Sequence, residues 1–130
     1  MSTTFIKENS TLPKIKFPLK QWMREKYDIT DEMMENVAVT FSMVDESNGV
    51  YRIANAEAGL EILDCVYERL DESKYTLFYS PKLKDTKKAG LYRGEFKLDF
   101  LGDNCGKITL PTDDTLQIVI GDSITKTTVV

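Results

Sequence analysis

The sequence predicts an all-β fold, an antiparallel sandwich, and three observations carry that prediction. The first is the alternating run from Tyr92 to Phe100, the second half of the stretch that begins at Asp85. Tyr92, Phe96, Leu98 and Phe100 share one face with Gly94 between them, and Arg93, Glu95, Lys97 and Asp99 share the other. A period of two with aromatics on one side marks a half-buried antiparallel strand. The second is that short alternating segments recur along the chain between turn signals, seven to eight of them. The third is the approach to that run: Asp85 and Gly90 supply turn chemistry, and Tyr92 follows the glycine by two residues. A Tyr so placed enters the F-like strand of an immunoglobulin-like sandwich, its phenol bonding backbone across a tyrosine corner. The expected fold is therefore an immunoglobulin-like antiparallel β-sandwich of seven to eight strands with a short helical insert. Asp85, Gly90 and Tyr92 are its expected structural corner. A sandwich by itself names no function.

The elements follow in order. Residues 1–13 are polar with scattered apolar positions and read as an extended N-terminal arm; 14–121 form the sandwich, and 122–130 a C-terminal tail. Ile15, Phe17 and Leu19 alternate, and Pro18, which lacks a ladder donor, suits an edge strand. Gln21 to Asn36 reads as an irregular connection with one helical turn, capped by Thr30 or Asp31. Val37, Val39, Phe41 and Met43 alternate as a central strand. Asn48-Gly49 supplies positive-φ positions for a hairpin into Val50–Asn55, and Ala56–Gly59 reads as a break. Residues 60–68 fit a helix face or a strand, and the all-β context favours the strand. Tyr75, Leu77 and Tyr79 make the next strand. Lys107–Leu110 and Leu116–Ile120 follow the long aromatic strand, separated by a break at Pro111–Asp114.

Composition narrows function. At 130 residues the chain is one domain, large enough to bury a core without staples. A net charge of −4, with basic stretches interrupted by Pro and apolar residues, argues against nucleic-acid binding. No apolar run approaches membrane-spanning length, and Met1–Glu8 lacks the basic-then-apolar order of a signal peptide, so neither is expected. Cys65 and Cys105 read as free thiols, because Cys105 falls in a Gly-Asp-Asn turn with no inward position for a bridge.

The chain contains no histidine, which removes Ser–His and Cys–His nucleophile pairs together with the commonest transition-metal ligand. The acidic pairs Asp71-Glu72 and Asp113-Asp114 lie in expected turns. Asp103, Asn104, Asp113 and Asp114 match no standard calcium loop. No enzyme, cofactor or metal is expected. Trp22, Met23, Met33 and Met34 would suit an interface, but the expected reading is that they plug the open end of the sandwich. Phe5, Ile6, Trp22, Met33, Met34, Val129 and Val130 are the expected interface candidates.

The order of signals also resembles a family of tailed-phage virion proteins, the immunoglobulin-like N-terminal domains of siphophage upper baseplate proteins. The residues that carry the resemblance are Leu12-Pro13, Tyr27-Asp28-Ile29-Thr30, Val39-Thr40-Phe41-Ser42-Met43, Asn48-Gly49 and Tyr75 to Tyr79. They continue with Asp85-Thr86, Ala89-Gly90-Leu91-Tyr92, Gly94-Glu95-Phe96 and Leu110-Pro111 before Leu116 to Ile120. The pattern spans roughly residues 10–121. It departs at the long, charged Gln21–Asn36 insert and at Pro111-Thr112-Asp113-Asp114. The resemblance implies a non-enzymatic structural or adaptor protein of the tail, baseplate or neck, assembled in the host cytoplasm. Such a protein docks on other virion proteins, or in a symmetric homo-oligomer, through sheet edges and terminal arms. The alternatives it leaves are a capsid decoration or head-fibre protein, and a module binding host-surface carbohydrate or receptor through Trp22, Tyr27, Tyr51 or Tyr67.

Overall fold

A computed structural model describes residues 2–63, 72–102, 106–112 and 114–122. Its strands are β1 (Ser2–Lys7), β2 (Ile15–Leu19), β3 (Val37–Asp45), β4 (Tyr51–Glu57), β5 (Gly59–Ile62), β6 (Tyr75–Tyr79), β7 (Gly90–Phe100), β8 (Gly106–Leu110) and β9 (Leu116–Gly121). The larger sheet runs β1-β9-β7-β3-β4 with β8 also on β7, and the smaller runs β2-β6-β5. Every described pairing is antiparallel except that of β1 with β9. The fold is thus mostly β, with one mixed and one antiparallel sheet.

The described residues hold nine strand segments rather than seven or eight, for two reasons. β8 and β9 run along the same flank of β7: Leu110 lies opposite Phe96 and Leu116 opposite Gly94. The segment between them leaves the ladder at a cis Leu110–Pro111 bond and returns within the span of one β7 residue, Glu95. The other addition is β1. Residues 2–7 are separable as an arm by composition, yet they lie in the chain's own sheet, Phe5 opposite Val119 and Ile6 opposite Ile120. Ile6 is buried, and the Glu8 N–H donates to the Gly121 carbonyl at 2.8 Å, extending the ladder. A short strand with only one inward apolar side chain carries too little alternation to be recognised locally, and a parallel partner at the far end of the chain leaves no local trace.

The remaining elements follow their patterns closely. β2 buries Ile15, Phe17 and Leu19, exposes Pro18, and forms the edge of the smaller sheet. β3 is central, between β4 and β7. In the 45–50 turn only Gly49 adopts positive φ (70°), not Asn48, whose Oδ1 instead accepts from the Val50 N–H. The expected break at 56–59 narrows to Ala58, where the chain passes from the larger sheet to the smaller. Of the expected 60–68 strand, β5 covers residues through Ile62; 64–71 lie outside the described residues, as do Cys65, Tyr67 and Cys105.

The insert holds two helices, α1 (Gln21–Lys26) and α2 (Asp31–Glu35), rather than one turn. Thr30 caps α2, its Oγ1 accepting from the Met33 N–H at 3.2 Å. α1 has no side-chain cap, which is why its start left no signature.

One core joins the sheets, and its centre is Phe41 on β3. The ring stacks on Tyr79 of β6 in the opposite sheet, centroids 4.9 Å apart at 19°, and meets Phe96 of β7 at 4.8 Å. Its edge lies over Gly94 on the neighbouring strand. A Cβ there would come within 2.8 Å of Phe41 Cε1 and Cζ and of Ile118 Cδ1. Phe41 and Ile118 are fully buried, so neither ring nor methyl can swing aside. Gly94→Ala is expected to destabilise by about 1–3 kcal/mol through overpacking. Gly102→Ala, where an added Cβ meets nothing within 4 Å, is expected to stay within about 0.5 kcal/mol of the parent. Urea unfolding of both variants checks this, and equal effects would contradict the packing argument.

Candidate docking surfaces

The corner between β6 and β7 ties the framework together. A 3₁₀ turn, Leu83–Thr86, buries Asp85 and Thr86. Asp85 Oδ2 accepts from the Tyr79 phenol at 2.6 Å and from the Lys82 N–H at 2.9 Å. The expected corner bond is present: Tyr92 Oη donates to the Lys88 carbonyl at 2.8 Å. Gly90 opens β7 opposite Ile120, and Asp85 acts on Tyr79 rather than on the glycine turn. Thr86 reaches the β1–β2 connection, its carbonyl accepting from the Asn9 N–H at 3.0 Å and its hydroxyl donating to the Ser10 carbonyl at 2.8 Å. The segment that leads out of β1 is therefore pinned to the same corner.

The expected interface residues divide. Ile6 and Met34 are buried in the core, because the strand and helix faces that carry them point inward. Met33 is half-buried against that core, as is Met23. These three methionines thus pack in or against the core. Phe5 (69% exposed) and Trp22 remain at the surface, and Val129 and Val130 lie outside the described residues. Phe5 stands on an edge strand beside a second one. β1 ends the larger sheet and β2 the smaller, and the two are in contact. An open groove of about 940 Å³ runs between them, lined by Thr3, Thr4, Phe5, Leu12, Pro13, Lys14 and Lys16. Edge backbone that no described strand pairs, with apolar side chains beside it, is suited to receiving another extended segment.

A second surface is the solvent face of the larger sheet. A cleft of about 360 Å³ lies there between Tyr51, Arg93, Glu95, Pro111, Asp114 and Thr115, with a smaller one beyond it against Asn55 and Lys97. Tyr51 is 59% exposed and lines both clefts. Of the other rings considered for sugar stacking, Tyr67 lies outside the described residues, and Trp22 and Tyr27 do not join it. Trp22 is not among the lining residues, and the Tyr27 phenol is hydrogen-bonded to Thr112 Oγ1.

Sequence reasoning missed a polar network that fastens the insert to β6. Arg24 is buried on α1, its Nη2 donating to Asp31 Oδ1 at 2.8 Å and its guanidinium lying 4.9 Å over the Tyr75 ring. The Tyr75 phenol donates to the same Asp31 oxygen at 2.7 Å, and Lys74 Nζ stands 3.4 Å away. The hydrogen bond from Tyr75, then the charges of Arg24 and Lys74, hold the Asp31 carboxyl below its ordinary range against an opposing effect of burial. Burial, then the Asp31 contact, pushes the Tyr75 phenol up to about 12. A charged arginine on a helix with no apolar stripe was the only available signal.

Among the described residues, no group of three or more His, Cys, Asp or Glu side chains is placed to hold a metal ion, and Asp103, Asn104 and Asp113 lie outside them. No described helix is long and apolar enough to cross a membrane. The chain is matched by no known family model, no curated protein and no solved structure.

Two outcomes are expected. Asp85→Ala leaves the buried Tyr79 phenol and the Lys82 N–H without their acceptor, which costs about 2–3 kcal/mol. Asp85→Asn, which keeps a carboxamide oxygen, is expected to recover part of that loss in the same unfolding assay, and an equal loss would point to charge instead. The second concerns alkali. Tyr75 titrates near 10 when unfolded but at about 12 when folded, and burial also raises Tyr79 and Tyr92. A raised folded value means the contribution is complete below the unfolded value and disappears as pH rises through the folded one. Stability is therefore expected to fall from about pH 10 upward. Tyr75→Phe is expected to flatten that limb when urea midpoints are measured across it, and an unchanged slope would rule Tyr75 out as a contributor.

Proposed function

We propose that this chain is a non-enzymatic immunoglobulin-like module of a tailed-phage virion, a structural or adaptor protein of tail, baseplate or neck that docks through sheet edges. The immunoglobulin-like reading is supported by strand order. β2-β6-β5 corresponds to a B-E-D sheet, and β9-β7-β3-β4 to G-F-C-C′, as in a variable-type sandwich. β1 then lies where a first strand crosses to pair in parallel with the last. The corner Tyr stands two residues before Gly94, where an antibody domain places its second inter-sheet cysteine. Phe41, packed over that glycine, takes the place of the missing bridge. The virion reading is supported by the Asp85-Thr86, Ala89-Gly90-Leu91-Tyr92 and Gly94-Glu95-Phe96 signature, which resembles that of the phage domains.

The observation that carries the docking role is the pair of adjacent edges, β1 and β2, unpaired on their outer sides among the described residues, with Phe5, Leu12 and Pro13 lining the groove between them. With β1 already in the chain's own sheet, the N-terminal segment presents an edge rather than reaching out as a loose arm. Its occupant would be an extended segment of a neighbouring virion chain, held by backbone hydrogen bonds that tolerate many side chains.

Quantitative mass spectrometry of density-banded particles from the phage that encodes the chain tests this. Peptides of the chain are expected at multiple copies per particle. Their absence from intact particles, with the chain abundant in the infected cell, would overturn the reading.

A further inference from the structure

The solvent face of β7 reads, in order, Leu91, Arg93, Glu95, Lys97, Asp99 and Leu101. Leu101 continues the ladder past the strand, its N–H donating to the Asn36 carbonyl at 2.9 Å. This series is self-complementary about Phe96. Reversed on itself, Leu91 meets Leu101, Arg93 meets Asp99, and Glu95 meets Lys97. Both leucines are exposed, at 40% and 57%. Among the described residues, no ion pair or hydrogen bond engages the side chains of Arg93, Glu95, Lys97 or Asp99. Four alternating charges thus stand on the face of a central strand without described partners, where other exposed acids such as Asp31 and Glu61 have cations beside them.

We infer that this chain pairs with a second copy of itself through the solvent face of the larger sheet, the two β7 strands lying antiparallel about a twofold axis level with Phe96. A twofold interface uses the same patch on both copies, so residue i meets j and j meets i, which is the relation the series satisfies. The flanking strands agree with it. On β3, register places Ala38 beside Asp99, Thr40 beside Lys97, Ser42 beside Glu95 and Val44 beside Arg93. The same axis sets Ala38 against Val44 and Thr40 against Ser42, small or hydroxylated side chains that allow close approach. On the other flank Lys107, beside Asp99, faces Gln117, beside Arg93. No like charges are brought together in these pairs.

The area is adequate. Strand spacing of about 4.8 Å and a rise of about 3.3 Å per residue make the face roughly 20 Å by 35 Å, or about 700 Å² per copy. The total reaches the range of about 1,200–2,000 Å² typical of stable interfaces. Aligned sheets cross at about 30°, so Glu95–Lys97, nearest the axis, is the pair in closest contact. The clefts beside Glu95 and Tyr51 leave room for bridging water. The inference rests on this face alone and is independent of the virion role.

Sedimentation equilibrium on the full chain tests it. The wild type is expected to be a concentration-dependent dimer that weakens with added salt. Glu95→Lys sets an introduced ammonium against Lys97 of the other copy, and Lys97→Glu sets an introduced carboxylate against Glu95. Each is expected to raise the dimer dissociation constant by about 100-fold. Mixing the two variants pairs opposite charges at both contacts and restores association, as does the double exchange E95K/K97E in one chain. Arg93→Glu and Asp99→Arg form a second such set should either central variant misfold by circular dichroism. A monomeric wild type, single variants that associate like the wild type, or a mixture that fails to recover would each overturn the inference. Association unaffected by the β7 charges but lost on substituting Phe5 would move the contact to the β1–β2 edge.

Discussion

Everything in this fold depends on the ring of Phe41 having room. It stands at the centre of β3, reaches across to Tyr79 in the opposite sheet, and can do so because Gly94 on the adjacent strand has no side chain. On the immunoglobulin-like reading proposed above, this is where an antibody domain would join its two sheets with a disulfide. Here the joint is made of contacts whose energy comes from burial and dispersion. It extends outward through hydrogen bonds, because the phenol of Tyr79 is held by buried Asp85 and the next residue, Thr86, holds Asn9 and Ser10. A glycine on β7, a ring on β3, a phenol on β6 and the exit from β1 thus form one chain of contacts from core to edge.

That chain of contacts determines what the surface can present. Because the corner anchors the β1–β2 connection, the edges of the two sheets are brought side by side, and Phe5 and Leu12 face one groove. Because β7 is central in the larger sheet and alternates without a bulge over its whole length, its outward side chains form a straight series on a continuous face. The helical insert is held by different physics. Met23, Met33 and Met34 pack in or against the core, while the Arg24–Asp31–Tyr75 network fastens the helices that carry them. Arg24 is buried while Asp31 is exposed, so the pair adds little net stability. Losing the carboxylate would leave a buried guanidinium short of a partner, and the network fixes the position of the insert more than it strengthens the fold.

Most of the framework was legible in the sequence. β7, β3, β6 and β9 each alternate over at least five residues with aromatic or β-branched side chains inward, and nothing in their surroundings competes with that pattern. Pro18 marked an edge, and Thr30 marked a helix start, for reasons intrinsic to those residues. What could not be read was non-local. The parallel β1–β9 pair joins opposite ends of the chain, and the division of one flank into β8 and β9 depends on how far the 111–115 segment leaves the ladder. The site was legible only in part. Phe5 and Trp22 are exposed, whereas Ile6 and Met34 turn inward, because the periodicity of a six-residue strand and a five-residue helix leaves the choice of face to the tertiary fold. The charge series on β7 was visible as alternation, while its lack of partners among the described residues became apparent only with the neighbouring strands in place.

The measurement closest to the centre of this account is a double-mutant cycle between Gly94→Ala and Phe41→Leu, read by equilibrium unfolding. If the ring occupies the space that the missing side chain leaves, the smaller leucine relieves the added methyl. The two substitutions together should then cost less than the sum of their separate effects, by about 1 kcal/mol, within the range for residues in contact. Strict additivity would mean that Phe41 and Gly94 do not share that space, and the joint between the sheets would have to be sought elsewhere.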